Sequence, residues 1–164
     1  MAINNPKELF VMLLSDVWQG TQRTTKIYQE LGQLAQDADV KEALEARIFL
    51  SDKILNTLNE VFRLIGEKPA KVNERLHELF LEDFHKELAE IKSPEAKRLF
   101  ILARAIGLVH LRIAEYKVLI AAADLTGHYA VGVLLESCLA DKLAFVERTR
   151  RIIQERVKQK FMAA

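Results

Sequence analysis

Cysteine is nearly absent: Cys138 is the only one among 164 residues. That excludes an intrachain disulfide, fits a reducing compartment and leaves a buried, inert thiol as the plain reading of the side chain. Proline and glycine are scarce as well, at 3 and 6 residues, so the chain has few places where a helix must stop. Charge of one sign is not in excess. A formal net charge of +1 provides no global field to gather nucleic acid, an anionic membrane or an acidic partner. Long apolar runs are missing, none reaching the roughly 20 residues that span a bilayer. Met1 to Lys7 also lacks the basic region and apolar core of a signal peptide. Together these absences predict a cytoplasmic protein that binds neither nucleic acid nor membrane.

What is present is helix-forming sequence in quantity. Half of the residues are hydrophobic and 29% are charged, enough for one well-cored domain over residues 1–164. Ala, Leu, Glu, Lys and Arg dominate, as expected of an all-α chain. Asn5-Pro6 opens a first helix whose inward stripe is Leu9, Leu13, Leu14, Val17, Thr21, Thr24, Tyr28, Leu31 and Ala35, ending at Asp37-Ala38-Asp39. A second helix runs from about Val40 to Ile65, with Leu44, Ile48, Ser51, Leu55, Leu58, Phe62 and Ile65 inward and Gly66 as its stop. A shorter helix over Val72 to Ile91 follows a polar connection. Ser93-Pro94 then caps a helix that reaches Gly127, about 50 Å of chain at 1.5 Å per residue. The last helix continues from about Tyr129 through Val157, with Val131, Leu134, Leu135, Cys138, Leu143, Phe145 and Ile152 inward. Four long helices in two hairpins, with extra chain between the hairpins, is the connectivity of a ferritin-like four-helix bundle.

Most candidate sites have a plain structural reading. His77 and His85, with Glu74, Glu78 and Glu82, offer possible metal ligands on the short helix, but the arrangement has no fixed signature and suits a solvated polar face. His128 follows Gly127 and borders a turn. His110 has no Ser or Cys nucleophile arrangement around it and reads as a core histidine, with Tyr28 and Tyr116 as available hydrogen-bond partners. Trp18, Phe49 and Phe100 read as core or interface residues, and no phosphate loop is present. Arg148, Arg150, Arg151, Arg156, Lys158 and Lys160 gather near the end of the chain, where cations complement the helix dipole and Glu147 and Glu155 interleave.

Glu8-Leu9-Phe10 followed by Leu13-Leu14-Ser15-Asp16, and Glu60-Val61-Phe62 closing on Gly66-Glu67-Lys68-Pro69, are joined downstream by Val109-His110, Ile113-Ala114 and Tyr116. Leu125, Gly127, Leu134-Leu135-Glu136 and Leu139 complete the series. In this order and spacing the chain resembles the bacterial YciE/YciF-type ferritin-like family over nearly its whole length. The resemblance implies a ferritin-like bundle, a homodimer, and glutamates at four helical sites that would hold a dinuclear metal centre. This chain departs at nearly all of those sites. The matched positions carry Thr21 in the first helix, Phe49 and Asp52 in the second, Val109, His110 and Arg112 in the fourth, and Ala140, Asp141 and Lys142 in the fifth.

A dinuclear iron or manganese site needs several carboxylates and about two histidines to neutralise two divalent ions. Only Asp52, His110 and Asp141 remain at matched positions, while Arg112 and Lys142 bring positive charge. The expectation is a bundle without a metal cofactor, in which Arg112 and Lys142 pair with Asp52 and Asp141, acting as a noncatalytic structural, interaction or stress-associated protein. Two alternatives stand beside it. One is an iron- or manganese-dependent oxidase or ferroxidase with an atypical site at Asp52, His110 and Asp141. The other is a small-molecule-binding bundle with a pocket opened by Thr21, Ser51 and Ala140.

Overall fold

The computed structural model describes residues 3–71 and 75–162, with the backbone alone described at 75–77 and 156–162. Among these residues the chain forms five helices and no strand: α1 Pro6–Leu34, α2 Ala38–Ile65, α3 Arg75–Glu90, α4 Pro94–Leu125 and α5 Tyr129–Met162. The ends follow local chemistry. Asn5 caps α1 by accepting from the Glu8 amide at 2.9 Å, and Pro6 occupies the first turn, where its missing N–H leaves nothing unpaired. Ser93 accepts from the Ala96 amide at 3.3 Å ahead of Pro94. Gly66 and Gly127 take φ of 69° and 77°, the left-handed turn that stops α2 and follows α4.

The helices surround one another in the order α1, α2, α5, α4, each touching the next and α4 closing on α1. The hairpins α1/α2 and α4/α5 pack side by side, and α3 crosses outside against α1 and α4. The connection before α3 is held to α1 by Ser15 Oγ, which accepts from the Ala70 amide at 2.9 Å, and by Gln19 Nε2, which donates to the Ala70 carbonyl at 2.5 Å. Arg98 on α4 ties down the other end of the first hairpin, reaching Asp37 at 2.6 Å and Asp39 at 2.5 Å across the α1–α2 turn.

The interior is divided along its length. One apolar core holds Phe10, Leu14 and Val17 of α1, Ile54 to Ile65 of α2, Tyr116 to Ala123 of α4 and Val131 to Cys138 of α5. The other holds Ile27 to Ala35, Val40 and Leu44, Ile101 to Ile113, Phe145, and Phe84 of α3. Between them every long helix contributes polar or small residues: Gly20, Thr21 and Thr24, then Arg47 and Ser51, then Arg112, then Lys142, all buried.

Candidate functional site

The layer between the two cores is basic. Arg47, Arg112 and Lys142 are 1%, 3% and 0% exposed, a rare state for cations unless they are matched nearby. Arg112 is matched in part: Nη1 donates to Glu115 Oε2 at 2.5 Å, one turn further along α4. Its guanidinium lies against the backbone of α1 at Gly20, the one position in that stretch without a side chain to block it. Arg47 sits between two aromatic faces, its guanidinium carbon 5.4 Å from the Tyr28 ring centre and 5.8 Å from that of Phe145. Lys142 Nζ stands 4.8 Å over the ring of Tyr116. Both geometries fit cation–π attraction, which strengthens as water is removed.

The hydroxyl groups around the layer are engaged within their own helices. Thr21 donates to the Val17 carbonyl at 2.7 Å, Thr24 to Gly20 at 2.5 Å, Ser51 to Arg47 at 3.0 Å and Thr149 to Phe145 at 2.9 Å. The hydroxyl oxygens of Tyr28 and Tyr116, Nε and Nη1 of Arg47, and Nζ of Lys142 are buried without a hydrogen-bond partner.

These environments displace the ionisation of the groups involved. Burial pushes the Lys142 ammonium well below the ordinary lysine value, and the positive charges of Arg47 and Arg112 push in the same direction. Burial raises the Tyr28 hydroxyl and raises that of Tyr116 further. Glu115 is also raised, first by burial and then by Asp16, with the attraction of Arg112 opposing both. The Cys138 thiol is held up by burial, as an inert core thiol should be.

The positions matched to family ligands do not converge. Thr21, Val109, Arg112 and Lys142 face inward, but Phe49, Asp52, His110 and Ala140 are exposed and Asp141 is half-buried. The expected pairing of Arg112 and Lys142 with Asp52 and Asp141 is not formed: Asp141 binds Lys53 at 3.1 Å, and Arg112 uses Glu115. Helix geometry supplies the reason. Asp52 follows the inward Ser51 by one residue, about 100° around the helix, and His110 likewise follows the inward Val109. His110 is therefore not a core histidine, and neither tyrosine hydroxyl bonds to it.

The remaining candidates resolve simply. His85 pairs with Glu30 of α1 at 2.6 Å and helps seat α3, whereas Glu78 and Glu82 face solvent. Glu74 and the side chain of His77 lie outside the described residues, as do the side chains of Arg156, Lys158 and Lys160. His128 stacks on Phe10 with ring centres 5.9 Å apart beside the Gly127 turn. Trp18 donates to Asn59 at 2.8 Å, and Phe100 stacks on Phe84 at 5.4 Å. Arg148 pairs with Glu42 and Arg150 with Glu147.

As a donor set for two divalent ions this interior fits poorly: it presents two guanidinium groups and one ammonium, with the half-buried carboxylates of Glu115 and Asp16 at its edge. Among the described residues no group of three or more His, Cys, Asp or Glu is placed to hold a metal ion, and no helix is long and apolar enough to cross a membrane.

A family profile described as a domain of unknown function, DUF892, matches residues 5–162. The chain belongs to that family. No curated protein matches it. Among solved structures, YcfI of Rhodopseudomonas palustris, which carries a proposed structural role, is 25% identical with a TM-score of 0.85, covering 90% of this chain and 94% of its own. The Escherichia coli stress protein YciF is 19% identical with a TM-score of 0.88 over 95% of this chain and 99% of its own. A Xanthomonas campestris protein, 15% identical, superposes with a TM-score of 0.70 over 95% and 99% of the two chains. The DUF892 member described here is thus an all-α bundle of the YciF type.

Arg47 and Glu115 are charged residues of this layer that the inward stripes omit. Arg47 lies three residues after Leu44 and four before Ser51, so strict 3.6-residue spacing does place it inward. Its charge is what argues against that position. Glu115 follows Arg112 by three residues, the spacing of a helical ion pair.

Proposed function

We propose that this DUF892 member is a noncatalytic, stress-associated structural or interaction protein in which a basic interior has taken the place of a dinuclear metal centre. One observation carries the reading: Arg47, Arg112 and Lys142 are buried together where the four long helices meet between the two apolar cores. Two divalent ions among these side chains would face strong repulsion in a medium of low dielectric constant. The roles given to YciF and YcfI, stress protein and proposed structural protein, support the same reading. The oxidase or ferroxidase alternative has less support, since Asp52 and His110 face solvent and Asp141 is tied to Lys53.

Metal analysis decides between them. Protein purified without chelator, then loaded with iron or manganese and desalted, is expected to retain far less than one ion per chain. Retention of about two ions per chain, the dinuclear stoichiometry, overturns the proposal.

A small-molecule-binding role has one feature in its favour, in a place other than expected. A cavity of about 530 Å³ opens on the surface between α2 and α5, lined by Phe49, Asp52, Lys53, Asn56, Thr57, Glu60 and Leu134. It is not the interior pocket anticipated near Thr21, Ser51 and Ala140, because Thr21 and Ser51 are enclosed by the basic layer and Ala140 faces out. Assembly as a homodimer belongs to the same proposal and is supported by exposed Phe49, Val118, Leu125, Tyr129 and Val133. Sedimentation equilibrium is expected to return twice the mass of the 18.7 kDa chain. A cytoplasmic setting suits the single reduced thiol of Cys138.

A further inference from the structure

We infer that the basic layer is a binding site for one small monovalent anion of halide size, held between Arg47 of α2, Lys142 of α5 and the hydroxyl groups of Tyr28 and Tyr116. Lys142 Nζ and Arg47 Nε and Nη1 belong to residues no more than 1% exposed and are buried without a carboxylate or carbonyl to accept from them, with Tyr28 Oη beside Arg47 and Tyr116 Oη beside Cys138. A guanidinium and an ammonium can only donate, and a phenol can donate or accept, so this set has many more donors than acceptors. Leaving such groups unmet carries a desolvation penalty, larger for charged ones.

The protein's own acceptors are engaged elsewhere. Glu115 is bound to Arg112, Asp141 to Lys53, and Asp52 faces solvent. Charge then separates an anion from a water molecule as the missing acceptor. Arg47, Arg112 and Lys142 against Glu115 and its neighbour Asp16 leave an excess of one positive charge when Lys142 is protonated. Water satisfies hydrogen bonds but leaves that excess, whereas a monovalent anion cancels it. Deprotonation of Lys142, toward which burial pushes it, is the alternative relief, and a bound anion would oppose it.

Size follows from the enclosure. The rings of Tyr28, Phe145 and Tyr116 wall the layer, and all three residues are at most 5% exposed. The cavity of about 530 Å³ lies outside it against Phe49 and Asp52, and another of about 190 Å³ lies at the α1–α2 turn near Leu34 and Arg98. A single-atom ion suits such a closed setting better than a phosphate or a carboxylate metabolite. The inference is independent of how the metal question resolves in other family members, because it reads only the donors in this chain.

Two measurements test it. In thermal unfolding at fixed ionic strength, with sodium chloride replacing sodium gluconate, the midpoint is expected to rise saturably with chloride. The rise should be about 5 °C or more once chloride is a hundredfold above Kd, and it should vanish in Lys142→Met. Crystals of the unaltered protein grown in bromide are expected to show an anomalous scattering peak between Lys142 Nζ, Tyr116 Oη and Arg47. A non-saturating response that is equal in Lys142→Met, or a water molecule at that place with no anomalous signal, overturns the inference. Because the bromide measurement uses the native chain, it remains decisive even if the variant fails to fold, and metal analysis reports separately on the proposed function.

Discussion

The guanidinium of Arg112 occupies the space that a side chain at Gly20 would fill: a Cβ there would lie 2.6 Å from Nη1 and closer still to Cζ and Nη2. An arginine on α4 is thereby accommodated by the absence of a side chain on α1. Gly20→Ala should force Arg112 away from its place beside Glu115 and cost about 1–3 kcal/mol through overpacking, despite alanine's better helix propensity. In an Arg112→Ala background the obstruction is gone, and the same change should become neutral or stabilising by up to about 1 kcal/mol. Urea denaturation of the four proteins gives the coupling directly. Equal effects of Gly20→Ala in both backgrounds would mean that the two residues do not share this space.

Lys142 makes stability depend on pH in a predictable direction. Its folded value is depressed, so between that value and the ordinary 10.5 the unfolded chain binds more protons than the folded one. Stability contributed by Lys142 therefore rises with pH through this window, and the penalty of the buried charge is fully present below it. Arg47 of α2, Arg112, Glu115 and Tyr116 of α4, and Cys138 of α5 all face it. The raised Cys138 and Tyr116 lose stability as pH rises past their ordinary values, so the comparison with a variant isolates the lysine. In gluconate buffer Lys142→Met should be more stable than the native chain by about 1–4 kcal/mol at neutral pH. The advantage should shrink as pH approaches 10. An advantage that grows with pH contradicts the assignment.

Helix ends and hairpin order were legible because they depend on local chemistry: Asn5-Pro6, Ser93-Pro94, Gly66 and Gly127 act where they stand. The interior was less so. Phe10, Ile27, Ile54 and Val61 are enclosed although they lie off the predicted inward stripes, while Leu9 and Leu143, which lie on them, are 40% and 46% exposed. A helix packed by two neighbours has a wide buried arc, and position within it is set by tertiary contacts that spacing alone does not contain. Arg47 was hidden for a different reason. Its spacing is that of a core residue and its charge that of a surface residue, and only the Tyr28 and Phe145 faces brought near it explain why spacing prevails. Asp52 and His110 face outward because a one-residue displacement from the inward Ser51 and Val109 turns a helical side chain by about 100°.

Arg98 should hold the first hairpin to α4 more strongly than an isolated surface pair could. Its side chain is only 11% exposed and divides its two nitrogens between Asp37 and Asp39, whereas the carboxylates are about one-third exposed. Arg98→Ala is expected to cost about 1–2 kcal/mol, partly offset by water reaching the carboxylates. Hydrogen exchange should rise first at the N-terminal turn of α2, where Asp37 makes no side-chain cap bond. Protection unchanged there, with the loss distributed over the whole bundle, would locate the effect elsewhere.

Tyr116→Phe separates a hydroxyl that is simply stranded from one that serves a ligand. The ring keeps its position against Lys142 and the apolar core, so the change removes only a buried oxygen whose neighbour is the weakly bonding Cys138 thiol. In gluconate buffer, where no halide is available, losing so weakly bonded a polar group should leave stability unchanged or raise it by about 1 kcal/mol. In saturating chloride the hydroxyl is a donor to the ion, and the same substitution should destabilise the protein by a similar amount. The sign of the effect must therefore reverse between the two salts at equal ionic strength. Unfolding midpoints that move the same way in both salts would show that the Tyr116 hydroxyl plays no part in holding an anion.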